Sequence, residues 1–158
     1  MILIAHRGLL DGPDKDLENR PDQIELALSR GFDVEVDVRY TRAGWMLGHD
    51  YEQYSVSESF LARPGLWLHC KNSIALERMT PEMHYFWHQE DDYTLTSRGI
   101  VWAFPGRILP HCSTVCVLPE LICGPDNVHS ISAYAVCTDY LNRYTTRDQD
   151  GVSTWCRS

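Results

Sequence analysis

"DVEVDVRYT", residues 33–41, alternates apolar with charged or polar side chains. In an extended chain that alternation puts Val34, Val36 and Val38 on one face and Glu35, Asp37 and Arg39 on the other. Taken alone, the pattern also suits an antiparallel edge strand whose charged face is wet. The residues before it decide between the two. MILIAH (1–6) is an apolar run, and the segment that follows carries helix signals. Pro21 is tolerated in a first turn, Ile24, Ala27 and Leu28 fall on one face, and Gly31 suits the C′ position. Strand, helix and strand make a βαβ unit, which implies parallel strands and a right-handed crossover. A strand inside a parallel sheet is covered on both faces. Glu35 and Asp37, about 7 Å apart on one side, would then repel each other unless a cation sat between them. Oxygen ligands of this kind suit Mg²⁺, Ca²⁺ or Mn²⁺ better than zinc or copper.

Working outward, further strand candidates are WMLGH (45–49), LWLHCK (66–71), HYFWHQ (84–89), GIVWAF (99–104), TVCVLP (114–119) and AYAVCTDY (133–140). A second short helix is expected from Ile74 to Met79, after Asn72-Ser73. Beyond His88 the connecting segments shorten and carry Gly, Pro, Ser and Thr in place of helical periodicity. Helices are therefore expected to be missing from the C-terminal half. No internal repeat or linker interrupts the chain, and its 158 residues read as a single domain, 1–158.

The composition is 44% hydrophobic and 23% charged, which suits a globular protein. A formal net charge of -8 and a pI near 5.2 would repel a nucleic-acid backbone, and no local basic patch offsets them. Ile2-Leu3-Ile4 is too short for a signal-peptide core, and no segment approaches the length of a membrane span. These features lead to the expectation of a cytoplasmic protein with no stable membrane insertion. The six cysteines (Cys70, Cys112, Cys116, Cys123, Cys137 and Cys156) form no CxxC pair, so buried reduced thiols are expected rather than a zinc site.

Two histidines flank the acidic strand. His6 ends the first apolar run in AHRG (5–8), and His49 ends another in LGHD (47–50). Imidazole titrates near neutral pH, so one ring can accept a proton while the other donates one.

With these residues assembled, the chain resembles the glycerophosphodiester phosphodiesterase family, including its phosphatidylinositol-specific phospholipase-like relatives. The resemblance rests on His6-Arg7-Gly8, Glu18-Asn19, Glu35-Val36-Asp37 and His49-Asp50, in the family's order and at similar spacing. Lys71 looks like its strand-borne lysine, and Thr138-Asp139-Tyr140 is similar to the TDY of its last strand. The resemblance implies a (β/α)8 barrel with its site at the C-terminal ends of the strands. It implies His6 and His49 as the acid-base pair, Arg7 and Lys71 as phosphate ligands, and Glu35, Asp37 and Glu18 around a divalent cation. The family's third acidic ligand normally lies two residues before the lysine, and His69 stands there, an imidazole that can also ligate a metal. A barrel of this kind takes about 250 residues. The fold expected is α/β, a reduced or incomplete (β/α)8 TIM-like barrel with several helices missing from its C-terminal half.

The function expected is metal-dependent hydrolysis or internal transfer at a small, glycerophosphodiester-like phosphodiester, with His6 as base and His49 as acid. A catalytically inactive barrel that binds a sugar phosphate or phospholipid headgroup is the alternative, as is an oligomeric interaction subunit. Strands stripped of helices would expose apolar faces that a homodimer could bury, so a homodimer is expected. Further rim candidates are His88 and Glu90, which follow a strand in WHQEDD (87–92). Trp102 either stacks on a substrate or packs in the core. Glu120 and Asp139 sit at comparable strand ends.

Overall fold

The computed structural model describes residues 1–107, 113–127, 131 and 133–145; Cys112 and Cys156, read as thiols from the sequence, lie outside them. The first strand, β1 (Ile2–His6), runs parallel to β2 (Asp33–Thr41), with helix α1 (Pro21–Ser29) between them in sequence. Residue Arg20, ahead of Pro21, is extended at ψ 132°, as the proline ring requires of its neighbour. Ile24 and Ala27 are fully buried, and the helix ends in a Schellman arrangement around Gly31 (φ 84°). There Phe32 N–H bonds the Ala27 carbonyl at 3.2 Å and Gly31 N–H bonds the Leu28 carbonyl at 3.0 Å.

The acidic strand is the hub of the sheet. Its first residues pair with β1 and its last with the antiparallel strand β3 (Gly44–Leu47), to which the two-residue β4 (Tyr54–Ser55) adds. Residues Val34 to Val38 pair with the parallel strand β5 (Leu66–Cys70), and β6 (Tyr85–Trp87) lies parallel beside that. On the far side of β1 come β10 (Ala135–Thr138), β9 (Thr114–Val117) and β8 (Val101–Ala103), all parallel. The antiparallel β7 (Tyr93–Leu95) follows. Eight strands thus follow one another as β6-β5-β2-β1-β10-β9-β8-β7, in a sheet curled into a half-barrel. Its two ends approach where Ser97 N–H bonds the Tyr85 carbonyl at 2.7 Å and Thr94 Oγ1 bonds the Trp87 carbonyl at 2.9 Å.

Alternation along each strand divides the interior in two. Val34, Val36, Val38, Leu66 and Leu68 pack outward against α1 and against Leu61 and Ala75 of two short helices, α2 (Glu58–Leu61) and α3 (Ser73–Glu77). Asn72 caps α3 by accepting from Ala75 N–H at 2.9 Å, one residue earlier than the expected start at Ile74. Ile4, Trp67, Phe86, Trp102, Val115, Val117, Ala135 and Cys137 fill the inside of the curl.

The fold is mixed α/β, as expected, with few helices. The expectation of no helix beyond His88 is corrected in detail, because single turns stand there: α4 (Glu120–Cys123) and α5 (Asn142–Thr145). Turns this short have no apolar periodicity for a sequence to display. Strands β4 and β7 were also not expected, being two and three residues long. Cys70, Cys116 and Cys137 are buried and Cys123 half-buried, all as free thiols. Burial pushes Cys70 up to about 12. No helix among the described residues is long and apolar enough to cross a membrane.

Candidate active site

Parallel pairing brings the C-terminal ends of β1, β2, β5, β6, β8 and β9 around one cleft of about 300 Å³. Glu35 and Asp37 do point to one side of β2, but that side is the inside of the curl, where they are 2% and 0% exposed. In the β2–β5 register Asp37 pairs with His69, which extends the same side across the neighbouring strand. One ligand atom from each of Glu35, Asp37 and His69 lies within 4.8 Å of the others.

The chemistry of this set fits a hard divalent cation assisted by one imidazole. His69 Nε2–H donates to the His88 carbonyl at 2.8 Å, so in the neutral ring the lone pair is on Nδ1. That nitrogen is 3.3 Å from Asp37 Oδ1 and 3.6 Å from Glu35 Oε1. Asp37 Oδ1 is buried and accepts no hydrogen bond. Burial opposes a charged imidazole, yet the two carboxylates outweigh it and lift His69 to about 9. Burial likewise opposes the Asp37 carboxylate, but His69, Arg7 and Lys71 hold it far below the usual range. Nδ1 of His69 thus carries a proton or faces a cation, and the two compete for one position.

Asn19 fixes Asp37 from the other side. It is fully buried with φ 59°, a backbone region that asparagine tolerates better than most residues. Its Nδ2 donates to Asp37 Oδ2 at 3.0 Å and its Oδ1 accepts from Asp37 N–H at 2.8 Å. The sequence singled out Asn19 only as part of a motif and gave it no task. The signal that would have found it is the need of any buried carboxylate for donors.

His6 and Asp139 meet across 133 residues of sequence because β1 and β10 are neighbours. His6 Nδ1 lies 2.8 Å from Asp139 Oδ1, an arrangement in which Nδ1–H donates and Nε2 carries the lone pair. Burial works against protonation of His6, as does Arg7, but the bond to Asp139 and the charge of Glu35 prevail and raise it. Glu120 supports this pair from behind, accepting from Asp139 N–H at 3.0 Å and Thr138 Oγ1 at 2.9 Å. Both residues, read as strand-end candidates, therefore act through His6 rather than lining the cleft.

Arg7 sits at φ 51°, its N–H bonded to Glu35 Oε2 at 3.2 Å. Its guanidinium lies 2.8 Å from Glu18 Oε2 and 3.0 Å from Asp37 Oδ2, and Lys71 Nζ is 3.6 Å from Asp37 Oδ1. Glu18, expected at the cation, is thus turned to Arg7 and stands outside the three-ligand cluster. His49 is set just beyond β3, in a loop pinned by Arg39, whose Nη2 donates to the His49 carbonyl at 2.6 Å. His49 Nδ1 lies 2.7 Å from Asp50 Oδ1.

Of the rim candidates, His88 and Trp102 line the cleft, while Glu90 is exposed and absent from its lining. Trp102 is 3% exposed and stacked at a tilt against Phe86 and Trp67, so it packs in the core and closes the cleft at once. Trp87, Gln89, Phe104 and Pro105 also line it, and the sequence offered no reason to select them. Comparison with protein families, with curated proteins and with solved structures finds no match to this chain.

Proposed function

We propose that this chain is a phosphoric diester hydrolase of the glycerophosphodiester phosphodiesterase kind, built on a shortened (β/α)8 barrel. The observation that carries the reading is the convergence, on one cleft, of the His6–Asp139 pair, the Glu35–Asp37–His69 cluster, and the cations Arg7 and Lys71. Glu35, Asp37 and His69 would hold a Mg²⁺, Ca²⁺ or Mn²⁺ ion, which supplies charge neutralisation for a bound phosphate. Arg7 and Lys71 draw the phosphate oxygens into the cleft and share their charge.

His6 acts as the base. With Nδ1–H held by Asp139, Nε2 takes the proton from the attacking hydroxyl, either water or a neighbouring hydroxyl of the substrate. The new oxygen–phosphorus bond forms as the bond to the leaving alcohol breaks, and His49 gives that alcohol its proton. The more exposed partner is suited to the leaving-group side, and the His49 side chain is 33% exposed against 13% for His6. A reducing, cytoplasmic setting fits the free thiols Cys70, Cys116, Cys123 and Cys137.

The test is turnover of a panel of small phosphodiesters by the wild type, His6→Ala and His49→Ala, each checked for folding by circular dichroism. Each variant should lose about two to four orders of magnitude in kcat, the range over which general acid-base groups act. Near-normal turnover in either folded variant would overturn its assigned role, and no turnover by the wild type on any diester would overturn the activity.

A further inference from the structure

Strand parity puts Arg39 on the same side of β2 as Glu35 and Asp37, and in the β2–β3 hairpin it stands opposite Met46. Yet it belongs neither to the Glu35–Asp37–His69 cluster nor, unlike Arg7 and Lys71, to the cleft lining. Its guanidinium is turned to the loop after β3, where it meets three successive carbonyls. Nε–H donates to Gly48 at 3.3 Å, and Nη2–H donates to His49 at 2.6 Å and to Asp50 at 3.4 Å. Each end of that loop is tied by a backbone bond, Gly48 N–H to the Asp37 carbonyl at 3.0 Å and Gln53 N–H to the Leu47 carbonyl at 2.9 Å. Between those ties, and among the described residues, the backbone of His49 and Asp50 is hydrogen-bonded only to Arg39. Packing does little more, since the two side chains are 33% and 61% exposed. The His49 ring is in turn held at Nδ1 by Asp50 Oδ1, 2.7 Å away. Arg39 thus grips, through their backbone, both the imidazole and the carboxylate that orients it.

From this clamp we infer that Arg39 is a positioning residue for the general acid, fixing His49 at the leaving group without touching the substrate. The inference rests on the phosphodiester reading above, in which His49 protonates the leaving alcohol. A guanidinium presents its N–H groups in a rigid planar fork, a geometry that the single ammonium of a lysine does not reproduce. Misplacement of a reacting group by about 1 Å costs on the order of a hundredfold in rate. Loss of the clamp therefore weakens proton donation and leaves the phosphate contacts, which belong to Arg7 and Lys71, as they are. A phosphate ligand behaves differently, because its loss raises KM. A merely structural residue differs again, because its loss slows every substrate alike.

The experiment compares turnover by the full chain, in excess Mg²⁺, of two diesters of glycerol 3-phosphate that differ only in the leaving group, with thermal melting as the check on folding. Ethanolamine needs a proton to leave, whereas p-nitrophenol, a far stronger acid, leaves as its anion without one. On glycerophosphoethanolamine, Arg39→Met should lose about tenfold or more in kcat with KM kept within about twofold. On the nitrophenyl diester its kcat should stay within about threefold of the wild type. Arg39→Lys, which keeps the charge, should show the same split and serves alone where Arg39→Met does not fold. His49→Ala should show a larger split. A split in His49→Ala with none in the Arg39 variants, an equal fall on both diesters, or a rise in KM alone would overturn the inference and leave His49 as the acid. Failure of both Arg39 variants to fold would make the residue a structural one. No split in His49→Ala, or a wild type that cleaves only the nitrophenyl diester, would remove the acid and the inference with it. A wild type that cleaves neither would remove the phosphodiester reading as well.

Discussion

At the scale of single residues, Asn19 is the clearest case of a side chain whose task is set by another. Its amide satisfies both the Oδ2 and the backbone N–H of Asp37, leaving Oδ1 without a hydrogen bond and directed toward His69 and Lys71. Asn19→Gly keeps a residue at ease with φ 59° and removes only the amide. Partners that orient metal ligands are worth about ten- to a hundredfold in affinity. Mn²⁺ binding followed by electron paramagnetic resonance should therefore weaken by about that factor in Asn19→Gly, and vanish in Glu35→Gln/Asp37→Asn. Unfolding should also become easier by about 1–3 kcal/mol, because buried groups of Asp37 lose their partner. Unchanged Mn²⁺ affinity in a folded Asn19→Gly would reduce Asn19 to a structural residue. Absence of binding in the wild type would instead remove the cation from the site.

At the scale of elements, the connection from β3 to β4 shows how backbone conformation positions a functional side chain. Gly48 has φ 145° and a Cβ there would collide with the carbonyl oxygen of Tyr51. Gly48 N–H bonds the Asp37 carbonyl at 3.0 Å, so the loop that carries His49 is tied at its start to β2, the strand of Glu35 and Asp37. Gly48→Ala must push the loop outward and take His49 with it. The expected result is at least a tenfold loss of kcat and about 1–3 kcal/mol of stability, measured by turnover and by thermal melting. A fully active Gly48→Ala would mean that the loop has room the geometry denies. The same elements show what a sequence displays and what it hides. Alternation in residues 33–41, with a helix before it, was enough to put Glu35 and Asp37 on one covered face, because strand parity is a local property. The His6–Asp139 pair and the choice of His69 over Glu18 depend on which strands become neighbours. Those contacts link residues far apart in the chain, and spacing does not encode them. The aromatic wall of the cleft was legible only at Trp102, and there left open, since a Trp at a strand end looks the same whether it closes a core or a cleft; Trp87 and Phe104 gave no sign at all.

At the scale of the whole molecule, the acid stability of the fold hangs on a histidine outside the cleft lining. His84, which precedes β6, is 6% exposed, lies 4.0 Å from the Trp67 ring between centroids, and has a buried Nε2 with no hydrogen-bond partner. Burial, with Arg98 adding to it, lowers His84 to about 4 from an ordinary value of 6.5. The unfolded chain therefore binds a proton that the folded chain refuses. The stability that a neutral His84 confers is complete above pH 6.5 and is lost as pH falls from there toward 4. His6 and His69 are raised, so their linkage acts on the alkaline side of 6.5 and leaves this window clear. The lowered carboxylates, Asp37 with its ordinary value of 3.8 among them, begin to lose their contribution only at the acid foot of the window. Urea denaturation across the window should show the wild type losing on the order of 2 kcal/mol, at no more than about 1.4 kcal/mol per pH unit. His84→Phe, a ring of similar shape with no proton to gain, should flatten that limb. An identical slope in both proteins would show that the buried imidazole is protonated in the folded chain, and that Trp67 or a water supplies the contact which this geometry withholds.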